Sequence, residues 1–290
     1  AVGEFNGWNA IAALAACKAI NGKPPFGRLK SFPGLLRRQV VLRETPSRVI
    51  VEDYAHHPTE LGAILKSYRL QFPHREMHVV FQPHRFSRQA SLGALFADAL
   101  SVSDHLYLLP TYSAGESSNP KGQVDSLLDL LPAHLGKTKV YEDFGQLIEG
   151  IGSPTDSPDC VLFLGAGDID AYGAAFAHLE ATGGDRWLAC SRFLERRLST
   201  DTVFRLNEPL SEKTTLRVGG KARIYCEPSG ADDLRELIFA ARLFDMPIFA
   251  LGRGSNLIVP SEGFDGIVLG MRGLAWRAID AGSDGTASGI

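Results

Sequence analysis

The chain has little of what would mark a secreted, membrane or nucleic-acid-binding protein. Its four cysteines, Cys17, Cys160, Cys190 and Cys226, lie far apart with no C-x-x-C pair. That spacing reads as reduced thiols in a cytoplasmic protein rather than as a disulfide framework. No apolar run reaches the ~18 residues of a membrane span, and no signal-peptide pattern opens the chain. A net charge of −3 leaves no broad basic field for nucleic acid. A phosphate loop is also missing. Gly136-Lys137-Thr138 lacks the earlier glycine, because Leu131 stands there, and the triplet precedes a strand. Gly165-Ala166-Gly167 follows a strand, but Asp170 replaces the third glycine of a dinucleotide fingerprint. Methionine is absent at the start, where the chain opens at Ala1, and Gly289-Ile290 ends it without a cap. We read it as a piece of something longer. Its 290 residues give room for two ordinary domains.

What is present is a regular alternation. Ala10–Ile20 reads as a helix stopped by Asn21-Gly22, and Lys23–Gly27 as a linker. Leu35–Arg43 reads as an antiparallel edge strand, joined to the next by a turn at Thr45-Pro46-Ser47. From there strands are expected at Val49–Val51, Val79–Phe81, His105–Leu109, Thr138–Tyr141 and Cys160–Leu164. Helices are expected between and after them at Thr59–Leu70, Arg88–Leu100, Val124–Leu131, Phe144–Ile151 and Ile169–Leu179. Such alternation predicts an α/β fold, a Rossmann-like, mostly parallel sheet with helices on both faces. Gly183-Gly184 marks a break, followed by a basic amphipathic helix, Trp187–Leu198. A small α+β unit comes next. It has strands at Thr214–Val218, Ala222–Glu227, Ile248–Leu251 (buried), Ile258-Val259 and Ile267–Leu269, and a helix at Asp232–Phe244.

Strand exits in the first unit are polar or Gly-rich and strand entrances are bland. Open parallel sheets bind ligands beyond the carboxyl ends of their strands. Asp53-Tyr54-Ala55-His56-His57 and Pro83-His84-Arg85-Phe86-Ser87-Arg88 are two such exits. Adjacent histidines on an extended segment point opposite ways, so at most one of His56 and His57 faces a ligand while the other packs. No third residue is spaced to make them a metal site. Arg85 and Arg88, three apart at a helix start, form a clamp for carboxylate or phosphate, or else are solvated surface arginines. Tyr112-Ser113-Ala114-Gly115-Glu116 is either a substrate or nucleotide loop or a plain turn. In the second unit, Leu251-Gly252-Arg253-Gly254-Ser255-Asn256-Leu257 carries a strand into two glycines. These let backbone amides approach a pyrophosphate, or merely make a tight turn.

Four of these segments, in order, resemble the C-terminal domain of the Mur ligases, in particular the branch acting on UDP-N-acetylmuramate and L-alanine. They are Asp53–Glu60, Phe81–Arg88, Tyr112–Glu116 and Gly165–Asp168. Asn6–Asn9 resembles the end of that family's central ATPase domain, with Phe5 where a histidine is usual. Thr214–Gly220 and Leu251–Val259 resemble the start of UDP-N-acetylenolpyruvoylglucosamine reductases, which are flavoenzymes. The first resemblance implies ligation driven by ATP and Mg2+, through an acyl phosphate on the muramate carboxylate that the L-alanine amine attacks. It implies that Arg85 and Arg88 hold the L-alanine carboxylate or developing negative charge. Tyr54 and His56 would line the same cleft and Asp53 would orient its neighbours, with His57, His84, Tyr112 and Glu116 among the substrate and nucleotide contacts. The second implies an FAD site at Thr215, Arg217, Gly219, Gly220, Gly252, Arg253, Gly254, Ser255, Asn256 and Leu257, with NADPH and UDP-N-acetylenolpyruvoylglucosamine as partners of the complete reductase.

Together the resemblances imply a bacterial, cytoplasmic, bifunctional enzyme of cell-wall precursor synthesis. Residues 1–22 would end the ATPase domain, 23–182 form the ligase C-terminal domain, 183–204 link, and 205–290 begin the FAD-binding subdomain. No catalytic residue of either reaction falls inside the chain on this reading, so the chain alone is expected to catalyse neither. Two alternatives remain at this point: a non-catalytic binding protein that reuses both folds, and an artefactual join of two adjacent genes.

Overall fold

Short runs of Val, Ile, Leu and Phe supply the strands and amphipathic stretches supply the helices between them. The computed structural model describes residues 3–154, 157–272, 279–281 and 287–289. The chain divides into two units, Ala1–Ala177 and His178–Ile290.

In the first unit the strands are β1 (Val40–Glu44), β2 (Arg48–Asp53), β3 (Glu76–Gln82), β4 (His105–Leu108) and β5 (Asp159–Gly165). They form one sheet in the order β1-β2-β5-β3-β4. β1 is antiparallel to β2 and every other pairing is parallel. The helices are α1 (Glu4–Asn21), α2 (Phe26–Leu29), α3 (Pro58–Gln71), α4 (Phe86–Leu100), α5 (Asp125–Leu128), α6 (Phe144–Ile151) and α7 (Ile169–Ala181). α3 and α4 cover one face, where Leu61, Ile64, Leu65, Tyr68, Phe96 and Leu100 pack on Val49, Val51, Val79, Phe81, Leu162 and Leu164. On the other face Phe163 meets Phe176 of α7 and Tyr107 meets Tyr141 ahead of α6. Burying both faces explains why β2, β3 and β5 read as nearly unbroken apolar runs. The expected fold class therefore stands for this unit.

β5, late in the sequence, inserts between β2 and β3. Leu162 pairs with Val51 on one side and Val79 on the other. The exits of β2 and β3 thus flank that of β5, which is the switch point where an open sheet forms a crevice. At the opposite end, Arg48 and Asp159 are both buried. Arg48 Nε and Nη2 donate to the Asp159 carboxylate at 2.7–3.1 Å, and Nη1 donates to the Gly152 carbonyl. Burial pushes the Cys160 and Cys190 thiols up to about 12, so both are inert packing groups.

Some expected elements differ. Leu35–Arg38 closes a tight turn, with Arg37 and Gln39 at positive φ (58° and 51°), so the edge strand begins only at Val40. Helix Val124–Leu131 shrinks to the single turn α5, which Pro132 helps terminate. Thr138–Tyr141 contributes only one bridge to β4, Val140 with Leu108, made by the Leu108 amide to the Lys139 carbonyl and the Tyr141 amide to the Leu108 carbonyl, with the Tyr141 ring buried against Tyr107.

The second unit has β6 (Val203–Pro209), β7 (Lys221–Glu227), β8 (Ile248–Leu251) and β9 (Phe264–Gly270), in the sheet order β6-β7-β9-β8. β10 (Ile279–Ala281) pairs antiparallel with β11 (Ala287–Gly289). The helices are α8 (Arg186–Glu195) and α9 (Ala231–Leu243), with Phe193 of α8 against Phe244 just past α9. Asp233 organises one end of this unit. Its carboxylate accepts from the Ser199 amide and hydroxyl, the Thr202 hydroxyl and the Ser229 hydroxyl.

Three expectations fail here. β6 was not anticipated, since Arg205, Asn207 and Glu208 dilute its apolar pattern. β8, expected to be buried, is an edge strand with Ile248, Phe249 and Ala250 exposed. Thr214–Val218 and Ile258-Val259 are not strands, and Arg217 at φ 54° breaks any extended run.

Candidate functional site

Three strand exits meet at the carboxyl rim of the first sheet. After β2, Asp53 turns back on its own loop. Its Oδ1 accepts from the Ala55 amide at 2.7 Å and its Oδ2 from the Gln39 amide at 2.8 Å. Burial nevertheless holds its carboxyl above the usual range, more than these hydrogen bonds lower it. The Tyr54 ring meets two guanidinium groups, Arg37 at 4.8 Å and Arg38 at 5.2 Å from its centre. The two histidines separate as expected. His56 turns inward, its Nδ1–H donating to the Tyr54 carbonyl at 2.8 Å. His57 is exposed and caps α3, its Nδ1 accepting from the Thr59 amide. Glu60 completes the reciprocal box by accepting from the His56 and His57 amides.

After β3, His84 is the hub. Its ring stacks on Tyr112 (5.7 Å, 8°) and meets His56 edge-on at 5.7 Å. Its pKa is lowered from the ordinary histidine value, first by burial and then by the charges of His56, Arg88 and Arg85. Both arginines stand at the start of α4 on this rim, Arg88 half-buried with its Nη1 enclosed and Arg85 exposed. Arg85 adopts φ 73°, sparsely populated for a side-chain-bearing residue. There it is the N-cap of α4, and its amide donates to the Tyr112 carbonyl at 2.9 Å. Glu116 reaches across to the same helix start and accepts from the Ser87 amide and hydroxyl at 3.0 and 2.7 Å. Those bonds hold its carboxyl below the ordinary range.

After β5, Gly165–Asp168 runs between these two exits. A Cβ on Gly167 would lie 2.4 Å from Gln82 Oε1 and 2.6 Å from the Tyr112 ring, so only glycine fits. Asp168 accepts from Gln82 Nε2 at 2.6 Å, and the Gly167 carbonyl accepts from Arg37 Nη2 at 2.8 Å.

The rim holds an unusual concentration of unmatched polarity. His84 Nδ1, Arg88 Nη1, Gln82 Oε1 and both amide atoms of Gln89 are buried without a hydrogen-bond partner. Buried polar groups are paired in the great majority of cases, and each exception calls for an explanation. The rim carboxylates, by contrast, are engaged: Asp53 and Glu60 with backbone amides, Asp168 with Gln82 and Glu116 with Ser87. Among the described residues, no three His, Cys, Asp or Glu ligand atoms converge on this rim as a Mg2+ site would need.

The structure thus gathers Asp53, Tyr54, His56, His84, Arg85, Arg88 and Tyr112 on one rim, and assigns His57 and Glu116 to helix capping. Sequence reasoning missed Arg37, Arg38 and Gln82. The doubled arginine before β1 was a visible signal, but its left-handed turn was not.

In the second unit, Thr214–Gly220 and Gly252–Leu257 also come together. The Thr215 amide donates to the Gly254 carbonyl at 3.0 Å. Thr215, Arg217, Gly252, Arg253, Ser255 and Asn256 are exposed, Gly219, Gly220 and Leu257 half-buried and Gly254 buried. A Cβ on Gly219 or Gly254 would strike Val259 or the Lys213 carbonyl, so those two glycines serve packing. Gly252 faces open space. Thr214 Oγ1 is buried with no partner.

Known proteins bear on the first unit. Residues 37–167 match the family Mur ligase, glutamate ligase domain. Within that class the chain is similar to UDP-N-acetylmuramate–L-alanine ligases. It is 37% identical to the one from Cytophaga hutchinsonii over 59% of this chain and 36% of that protein. With the one from Desulforapulum autotrophicum the identity is 35%, over 62% of this chain and 40% of that protein. The crystal structure of UDP-N-acetylmuramate-alanine ligase from Thermotoga maritima aligns with 62% of this chain and 39% of its own, at 25% identity and a TM-score of 0.49. The chain therefore spans well under half the length of these ligases. Among the described residues no helix is long and apolar enough to cross a membrane.

Proposed function

We propose that the first unit is the C-terminal, substrate-closing domain of a cytoplasmic bacterial ligase that joins L-alanine to UDP-N-acetylmuramate at the expense of ATP. The observation that carries this reading is the set of orphaned polar atoms around Arg88, His84 and Gln89, on the rim where three strand exits converge. Arg85 and Arg88 receive the L-alanine carboxylate or the negative charge that develops as its amine attacks. A guanidinium fork in a closed cleft suits that task. His84, with its lowered pKa, stays neutral near pH 7 and accepts or donates one hydrogen bond without adding charge. His56 and Tyr54 line the same cleft. Asp53 keeps Gln39 and Ala55 in place, and Arg37 ties the β5 exit to the loop before β1. ATP and Mg2+ supply the phosphoryl transfer, and the relatives' additional length is where we place their principal ligands.

The test is complementation. Co-expressed with the part of the Cytophaga ligase that this chain does not cover, it is expected to restore L-alanine-dependent phosphate release. Arg85→Glu together with Arg88→Glu should cut kcat/KM for L-alanine at least 100-fold. Equal activity with and without the two arginines would remove the reading in favour of a non-catalytic binding module.

A second reading concerns the second unit, favoured by Thr214 Oγ1 and the open face of Gly252. We propose that it begins an FAD-binding subdomain of an NADPH-dependent UDP-N-acetylenolpyruvoylglucosamine reductase, in one polypeptide with the ligase. The amides around Gly252 and the side chains of Ser255 and Asn256 would hold the pyrophosphate. Joined to the remainder of such a reductase, it should bind FAD saturably by flavin fluorescence. Gly252→Val, which fills only open space, should weaken binding at least tenfold.

A further inference from the structure

At the amino ends of β3 and β4, away from the rim, a second cluster has no part in the proposed reaction. Glu76 and His78 are two apart on β3 and so share a face. His105 stands directly opposite His78 in the parallel register of β4. Their ligand atoms all lie within 4.8 Å of one another. Glu76 Oε2 is 3.3 Å from His105 Nε2 and 3.8 Å from His78 Nε2, and the two imidazoles are 4.3 Å apart. Tetrahedral Zn–N and Zn–O bonds of about 2.0–2.1 Å put neighbouring ligand atoms about 3.4 Å apart. The cluster sits within a few tenths of an ångström of that spacing on both measured edges.

Two further features favour a cation. His78 Nδ1 is 2.9 Å from the buried Tyr107 hydroxyl. With that nitrogen donating its proton to Tyr107, Nε2 keeps its lone pair toward Glu76 and His105. Such an outer partner is what orients a histidine ligand. The site is also reachable: His105 and Tyr107 line an open cavity of about 460 Å³, shared with His134, Lys137 and Tyr141. The buried Arg48 opposes positive charge at His78, but it is paired with Asp159, which together with Glu76 acts the other way. Among the described residues this is the only group of three or more His, Cys, Asp or Glu whose ligand atoms converge in this way.

We propose that Glu76, His78 and His105 form a divalent transition-metal site of the Zn2+ class, three protein ligands with water in the fourth position. It cross-links β3 to β4 at the end of the sheet remote from the proposed ligase rim. Two nitrogens and one carboxylate oxygen favour Zn2+ over Mg2+ or Ca2+, which prefer all-oxygen shells.

Calorimetric titration of the EDTA-stripped chain with Zn2+ tests this without any activity assay. The expected result is one ion per chain, with affinity falling at least tenfold in His105→Ala and in Glu76→Gln. Both side chains are about half exposed, 48% and 45%, so the variants should fold, as circular dichroism would verify. Zn2+ should raise the Tm of the parent and of Cys17→Ser but not of the two ligand variants. Absence of saturable binding, unchanged affinity in His105→Ala and Glu76→Gln, or loss of binding in Cys17→Ser would each overturn the proposal. Mg2+ alone should give no heat, and tighter Mg2+ than Zn2+ binding would overturn the assigned ion class.

Discussion

Two neighbouring histidines with the same chemistry are given unlike work by the direction each side chain leaves an extended backbone. His56 turns to the Tyr54 carbonyl and the His84 ring, whereas His57 turns outward and caps α3. His57→Ala should therefore cost about 1 kcal/mol of stability, the usual loss for a removed helix cap, while leaving complemented ligase activity intact. His56→Ala should do the reverse. Urea unfolding together with the complementation assay separates the two, and a shared effect on both readouts would mean the division of labour is wrong. Arg85 shows the same dependence on direction. Its left-handed backbone costs roughly 1–3 kcal/mol, and the bond from its amide to Tyr112 helps hold it there.

Elements are pinned at both ends of the parallel sheet, by different means. At the carboxyl end Glu116 closes the start of α4 from a loop 29 residues away. At the amino end the buried Arg48–Asp159 pair ties β2 to β5, and through Gly152 to the end of α6. A buried charge left without its partner is expensive. Arg48→Met alone should destabilise the first unit by about 3–5 kcal/mol, whereas Arg48→Met with Asp159→Leu should recover most of that loss. Chemical denaturation of both variants checks it. A double variant as unstable as the single one would show that the pair's hydrogen bonds, rather than its uncompensated charge, dominate.

Across the whole molecule, carboxylates with lowered pKa set the acid limb of stability. Glu60 and Glu116 in the first unit and Asp233 in the second lie below their ordinary values of 4.5, 4.5 and 3.8. For Glu60 and Asp233 burial acts the other way and their hydrogen bonds outweigh it. For Glu116 the Ser87 bonds come first. A group of this kind contributes fully above its unfolded pKa, and the contribution is lost as pH falls through the folded one. Stability should thus begin to fall near pH 5 and keep falling below pH 4. Asp53, shifted upward by burial, works in the opposite sense and offsets part of the loss. Thermal melts between pH 3 and 7 should show this limb, and Asp233→Asn should flatten it. An unchanged limb in that variant would place the acid sensitivity elsewhere.

The sequence by itself determined the alternation of strands and helices in the first unit, its parallel sheet with both faces covered, and the polar exits that make a rim. Hydrophobic period and helix-start chemistry are local, and β2, α3, β3, α4, α6 and β5 were legible to within a few residues. Only the tertiary structure decided what depends on partners distant in the chain. It inserted β5 between β2 and β3, left β8 as an exposed edge, and reduced Thr138–Tyr141 to one bridge. A strand's place in a sheet is fixed by its neighbours, and they are not written into the strand. The same holds for the rim. Arg37, Arg38 and Gln82 join it because a left-handed turn and a glycine-lined exit bring them there. Glu76, His78 and His105 converge because two strands 29 residues apart lie side by side in one register.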